Sequence, residues 1–293
     1  MSVAEARTAA PGATVPRSVA RRPVSTRLVR SELGMVFLRR RNQAILVVLG
    51  AVPILIAVAV RLSTPSGDNE GPPFLGEITT NGIFVALTAL TVVLPFFLPL
   101  AVSVVSGDAV AGEASQGTLR YLLAVPVSRA RLLAVKYAAV VAYCVTAALV
   151  VATVGVLIGL ALFPFGPVTL LSGTEASYAS ALGRLLLVAL YIAGSMAALG
   201  AIGMFVSTLT ESPIAAMATT AVLAIASQVL DSVPQLDAIH PWLFSHYWVN
   251  YGDLLRDPIA TDGVLRGLLA AAVYLAFFGS LAWSRFSGKD VSS

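Results

Sequence analysis

Charged side chains are scarce in this 293-residue sequence, at 12% of positions against 57% hydrophobic. Soluble domains carry about 25% charged residues, so a water-soluble globular class is excluded. No long polar stretch is left in which a second, soluble domain could bury a core. Cys144 is the only cysteine, so no disulfide can form within the chain, and its place in an apolar run gives it a packing role. The two histidines, His240 and His246, are spaced neither i+3 nor i+4 and have no cysteine beside them, so no metal site is expected. A nucleotide-binding loop of the form G-x-x-x-x-G-K-[ST] is also missing, because the only Gly-Lys pair, Gly288 and Lys289, is followed by Asp290. If ATP drives this protein, another chain binds it.

Long apolar runs occupy residues 43–62, 83–106, 137–163, 184–209, 213–230 and 264–284, in a chain whose mean hydropathy is +0.86. Runs near 20 residues cross a hydrocarbon core of about 30 Å as helices. A β-barrel would need alternating segments of about 10 residues instead. The expected fold is therefore an all-α integral membrane protein with one six-helix transmembrane domain over 43–284. Arg39 to Arg41, followed by an apolar run with Ala57 and Ala59 near its end, resembles a signal peptide. The length of the run and the five further spans favour an uncleaved anchor.

With both termini on the cytoplasmic side of a cell membrane, fifteen of the 19 Lys and Arg residues lie inside, nine of them in the N-terminal tail. The other side holds Arg61, Arg184, Arg256 and Arg266 and collects nine of the 15 acidic residues. Because orientation follows the count of cations, this arrangement is the expected one. It also accounts for the sequence pI of about 9.5 without any nucleic-acid partner. The interiors of the middle four spans contain no Asp, Glu, Lys, Arg or His, which disfavours carriers that keep ionisable relays in the membrane.

The tail divides in two. Residues 1–24, rich in Ala, Pro, Arg and Ser, have too little to bury and are expected to be disordered, while 285–293 form a short cytoplasmic tail. Within 25–41, Val29, Leu33, Val36 and Phe37 fall at i, i+4, i+7 and i+8 on a helix otherwise bearing Arg27, Arg30 and Glu32. That pattern fits a helix lying in the inner membrane interface, where its basic face meets lipid, or a basic flank serving orientation alone.

The polar interval between the second and third runs, residues 112–136, holds Arg120, Arg129, Arg131 and Lys136. Leu119, Leu122 and Leu123 stand at i, i+3 and i+4, predicting a short amphipathic helix from about Gly112 to Ala124 beside Glu113, Gln116 and Arg120. Pro126 cannot continue it, and Ser128 is placed to cap the next helix. On their own the residues fit either an ordinary cytoplasmic loop or a docking element.

Glu113, Gly117, Thr118, Leu119, Leu122, Leu123, Pro126, Val127, Ser128, Arg129, Leu132, Leu133 and Lys136 are similar to the pattern GE…GTL..LL..PVSR..LL..K of type-2 permeases of ATP-binding cassette (ABC) exporters. Many members carry a charge directly after the Glu, where this chain has Ala114 and Ser115. The resemblance implies a permease subunit whose segment 112–136 contains a coupling helix set into a separate cytoplasmic ATPase. By position Glu113, Gly117, Thr118, Arg120 and Leu123 belong to that helix, and Pro126, Ser128, Arg129 and Lys136 to the turn and membrane re-entry. It further implies half a translocation pathway, completed by a second copy or a paired permease. ATP and Mg would reside in the partner ATPase, with no cofactor and no catalytic residue in this chain. Thr26 to Phe37 resembles the family's connecting helix, and short extracellular helices before the last span are common in it.

Other features carry less. Pro95, Phe96 and Pro99 in the second run could line a substrate path or simply pack. Small residues of the fourth run, among them Gly200 and Gly203, favour close helix packing. Pro213 suits a helix start, and Trp242, Tyr247, Trp248 and Tyr251 suit a membrane interface. An ATP-independent carrier or channel, or a membrane scaffold, are the other functional classes open to such a sequence.

Overall fold

Backbone N–H and C=O groups have no partner in lipid except one another, and the apolar runs accordingly fold as helices. The computed structural model describes residues 26–62, 76–117 and 128–288. In chain order the helices are α1 Thr26–Phe37, α2 Arg40–Leu62, α3 Ile83–Val93, α4 Phe97–Ser115, α5 Arg129–Leu162, α6 Tyr178–Leu209, α7 Pro213–Asp231 and α8 Thr261–Ser287. Among the described residues six of them (α2, α4, α5, α6, α7 and α8) are long and apolar enough to cross a membrane, and the chain is an all-α, multi-pass membrane protein. A two-stranded antiparallel hairpin, β1 Val168–Thr169 with β2 Glu175–Ala176, caps one end of the bundle.

Helix α6 is the axis, with α4, α5, α7 and α8 packed around it, while α2 and α3 lie against the outer side of α5. Its buried face runs from Ala181 through Val188, Ile192, Met196 and Leu199 to Met204. The outer helices turn Val47 and Leu55 of α2, Val222 and Val229 of α7, and Leu269, Val273 and Phe277 of α8 outwards. An exposed apolar surface of this extent suits hydrocarbon rather than water.

Hydropathy alone misplaces several boundaries. The 34 residues of α5 make a rod about 51 Å long, so the helix begins well before its apolar run. The run 83–106 is two helices, broken at Leu94–Phe96, and α4 continues to Ser115. Gly112 and Glu113 are therefore the last turn of α4, not the start of a separate short helix. The break falls where Pro95 removes a donor; Gln228 of α7 donates to the Pro95 carbonyl at 2.5 Å. Ser212 and Ser177 cap α7 and α6 through their hydroxyls, whereas Ser128 stands at the N-cap of α5 without a side-chain capping bond.

Close packing replaces strong polar contacts in the middle of the bundle. A Cβ on Gly155 of α5 would lie 2.5 Å from the Ala86 Cα of α3, and one on Gly107 of α4 would lie 2.7 Å from the Met217 N of α7. At the hairpin end, the Asn81 side chain donates to the Gly166 carbonyl at 3.1 Å and accepts from the Ile83 N–H at 3.1 Å, tying α3 to the loop after α5. The segment between α7 and α8 forms 3-10 helices at Pro234–Leu236, His240–Trp242 and Trp248–Leu255. Trp248 and Tyr251, expected at the membrane interface, are core residues instead, the Tyr251 hydroxyl lying 2.6 Å from that of Thr91, while Trp242 is exposed. Burial pushes the Tyr251 phenol above its ordinary range.

Replacing Gly155 by Leu is expected to destabilise the protein by about 1–3 kcal/mol, the usual cost of overpacking, because the new side chain meets backbone. A lowered melting temperature in detergent checks this, with exposed Gly183→Leu as the neutral control.

Candidate functional site

The polar interval singled out from the sequence emerges from the end of the bundle at which α1, α4 and α5 meet. Thr118, Arg120, Leu123 and Pro126 lie outside the described residues. Its flanks are well defined. Helix α4 ends at Ser115, the chain turns through Gln116 and Gly117, and Gly117 adopts φ 66°, a left-handed conformation that favours glycine. The chain is described again from Ser128, whose carbonyl accepts from the N–H groups of Arg131 and Leu132 as α5 begins.

Lys136 is the centre of the site. Its Nζ lies 2.5 Å from Glu113 Oε1 on α4 and 3.0 Å from Glu32 Oε2 on α1, with all three side chains at least nine-tenths buried. The middle runs do lack ionisable residues, yet the helices that contain them carry buried charge at this end. Glu32, read from the sequence as part of a polar face, instead points into the bundle, with Leu28, Val36 and Phe37 packing beside it. Two carboxylates share one ammonium here. Burial pushes the Glu32 carboxyl above its ordinary 4.5, an effect that Lys136 opposes without cancelling it.

A second ion pair lies alongside. Arg39, in the break between α1 and α2, and Arg41 both reach Asp108 on α4, the latter at 3.0 Å. Asn42 donates to the Val36 carbonyl at 2.8 Å and its own carbonyl accepts from the Tyr143 hydroxyl at 3.2 Å, fixing the α1–α2 corner onto α5. Deeper in α4, the N–H groups of Val110 and Ala111 donate to Ser207 Oγ of α6 at 3.1 and 2.9 Å, and that hydroxyl donates to the Gly107 carbonyl at 2.7 Å. On the other flank Arg129 donates to the Ser287 carbonyl at 2.8 Å, linking the start of α5 to the end of α8. The crevice between these charges has a volume of about 30 Å³, far below the roughly 300 Å³ of a small-molecule site. The arrangement is a joint between helices and is too small to be a binding pocket.

The structure thus brings together Glu113 and Lys136, places Gly117, Ser128 and Arg129 on the rims of the interval, and adds Glu32, Arg39, Arg41, Asp108 and Ser207, which sequence reasoning missed. Glu32 offered one signal: it is an acid beside an apolar stripe on an otherwise basic helix. Pro95, Phe96 and Pro99 lie apart from this site, at the α3–α4 break, with Pro95 and Phe96 exposed and Pro99 buried. A larger apolar groove of about 280 Å³ opens between α5, α6 and α8, lined among others by Leu133, Tyr137, Met204, Leu275 and Trp283.

Residues 54–292 match the family described as protein of unknown function DUF2705, and the chain belongs to that family. The match includes Glu113 and Lys136 and stops short of α1. No curated protein matches the chain.

Lys136→Met is expected to cost about 3–5 kcal/mol, the usual penalty for stranding buried charge, because two carboxylates lose their counter-ion. Thermal unfolding of the triple variant Glu32→Leu, Glu113→Leu, Lys136→Met checks the cause, since removing all three charges together restores most of the loss. The raised Glu32 pKa gives a pH dependence of definite sign. Folded protein holds the Glu32 proton more tightly than unfolded protein, so this stabilisation is full below 4.5 and is lost as pH rises through the raised folded value. Melting curves across that window should fall more steeply for the native protein than for Glu32→Gln.

Proposed function

We propose that this chain is the membrane-spanning permease subunit of an ATP-driven ABC exporter, coupled to a separate cytoplasmic ATPase through residues 112–136. The observation that carries the reading is Lys136. The two helices flanking 118–127 are ion-paired to each other and to α1, so a push on that segment moves α4, α5 and α1 as one unit. In this reading α1 is an interfacial helix on the cytoplasmic face, both termini are cytoplasmic, and the hairpin and the 3-10 segment before α8 face outwards across a cell membrane. Glu113 and Lys136 act inside the lever, while Thr118, Arg120, Leu123 and Pro126 meet the ATPase. ATP and Mg are held by that partner, and a second permease copy or a paired permease completes the pathway. The apolar groove between α5, α6 and α8 fits a hydrophobic substrate or a lipid tail.

A second reading, an ion-coupled carrier, has the buried Glu32 and Glu113 carboxylates in its favour, because protonatable acids inside a bundle are the usual relays. One set of measurements separates the two. Purified chain alone should hydrolyse no ATP and should copurify with an ATPase subunit. Arg120→Glu combined with Leu123→Asp should lower the ATPase turnover of the complex severalfold while leaving the melting temperature of the permease unchanged. Unaltered association and turnover would sink the exporter reading, and uptake driven by a pH gradient and abolished by Glu113→Gln would establish the carrier.

A further inference from the structure

The segment between α7 and α8 holds a cluster of side chains that the exporter reading does not use. Helix α7 ends on Asp231, and the short 3-10 turns that follow fold His240 and His246 back over that end. One ring nitrogen of each histidine and one carboxylate oxygen of Asp231 lie within 4.8 Å of one another. The sequence spacing of the histidines argued against a metal only on the premise of a shared helix, and a run of turns imposes no such spacing.

The geometry is specific. His246 Nδ1 is 2.7 Å from Asp231 Oδ1, and the two imidazole rings stand 5.8 Å apart at a tilt of 31°. Two further oxygens border His240, the Val233 carbonyl at 3.2 Å from Nε2 and the Asp237 carboxylate at 3.4 Å from Nδ1. The side chains of His240, His246 and Asp231 are 14%, 35% and 25% exposed, sheltered yet open on one side. Their frame is anchored to three helices. Ser245 shares a 2.6 Å hydrogen bond with Ser227 of α7, the Tyr191 hydroxyl of α6 donates to the Tyr247 carbonyl at 2.6 Å, and the Tyr274 hydroxyl of α8 donates to the Trp242 carbonyl. A hydrogen bond between His246 and Asp231 accounts for one pair alone; the convergence of His240 on the same point makes a three-donor cluster.

We propose that Asp231, His240 and His246 form a divalent transition-metal site of the kind that takes zinc, at the end of the bundle opposite α1. Zinc bonds to imidazole nitrogen and carboxylate oxygen are about 2.0–2.2 Å long, so tetrahedral donors stand about 3.4 Å apart. Side-chain rotation of the two histidines would open the 2.7 Å His246–Asp231 contact and close the wider separations, which reach no more than 4.8 Å. Three protein donors leave a fourth position for Asp237 or water, and the two nitrogens select against magnesium and calcium, which prefer oxygen ligands. Bound metal would clip the 3-10 segment to the end of α7.

The proposal is independent of the exporter reading and is tested without it. Tag-free, full-length protein stripped of metal and titrated with Zn²⁺ should bind one ion per chain. His240→Ala and His246→Ala should each weaken binding at least tenfold, and excess Mg²⁺ or Ca²⁺ should not displace the ion. Co²⁺ added to the native protein should give the intense visible bands of a low-coordinate, nitrogen-ligated ion, bleached by Zn²⁺. Zinc affinity unchanged in the triple variant Asp231→Asn, His240→Ala, His246→Ala, or a weak spectrum like that of aqueous cobalt in the native protein, would overturn it.

Discussion

An ammonium group sealed among packed helices demands negative charge at contact distance, and the end of the bundle is organised around meeting that demand for Lys136. The position lies on the longest helix, α5, and its partners come from α4 and α1, elements remote in sequence. Three consequences follow from this one requirement. The rotation of α5 about its axis is set, because Lys136 must face α4. The short helix α1 gains an anchor, since Glu32 is the buried polar group that pins it down. The last turn of α4 is held against α5 about two turns after α5 begins, through the Glu113–Lys136 pair.

Elsewhere the bundle depends on the absence of side-chain bulk. Gly155 lets α3 lie against α5, and Gly107 lets α4 lie against α7. In lipid the hydrophobic effect does not draw helices together, so close van der Waals contact and a few shielded hydrogen bonds have to do so. Ser207 provides three such bonds from one hydroxyl, bridging α6 to the backbone of α4 next to Gly107. Charge holds the α1 end and close contact holds the middle. Hydrogen bonds from Asn81 and Arg184 to loop carbonyls hold the hairpin end.

The six apolar runs were legible in the sequence because hydropathy reports directly on what lipid tolerates, but hydropathy is blind to the break in the second run, which was expected as one span over 83–106. Helix ends were harder. Hydropathy marks where a segment meets hydrocarbon, whereas a helix continues for as long as its backbone is satisfied, so α4 overran its run to Ser115 and α5 began at Arg129. Lys136 and Glu113 were recognised as members of one segment, but nothing in their spacing could pair them, and Glu32 is 104 residues away from Lys136. Periodicity tells which residues share a face of one helix and is silent on which faces meet. The histidines illustrate the converse, since their spacing was judged against a helix that does not form.

The interruption at Leu94–Phe96 has a mechanical meaning. A continuous rod would carry any displacement of its Ser115 end straight through to Ile83, shifting both surfaces of the bundle together. Here α3 packs with α2 and α5, while α4 packs mainly with α6 and α7, and the hydrogen bond from Gln228 to Pro95 fixes the point where the two rods meet. That point separates two rods with different neighbours, so the direction of α4 is set independently of the direction of α3.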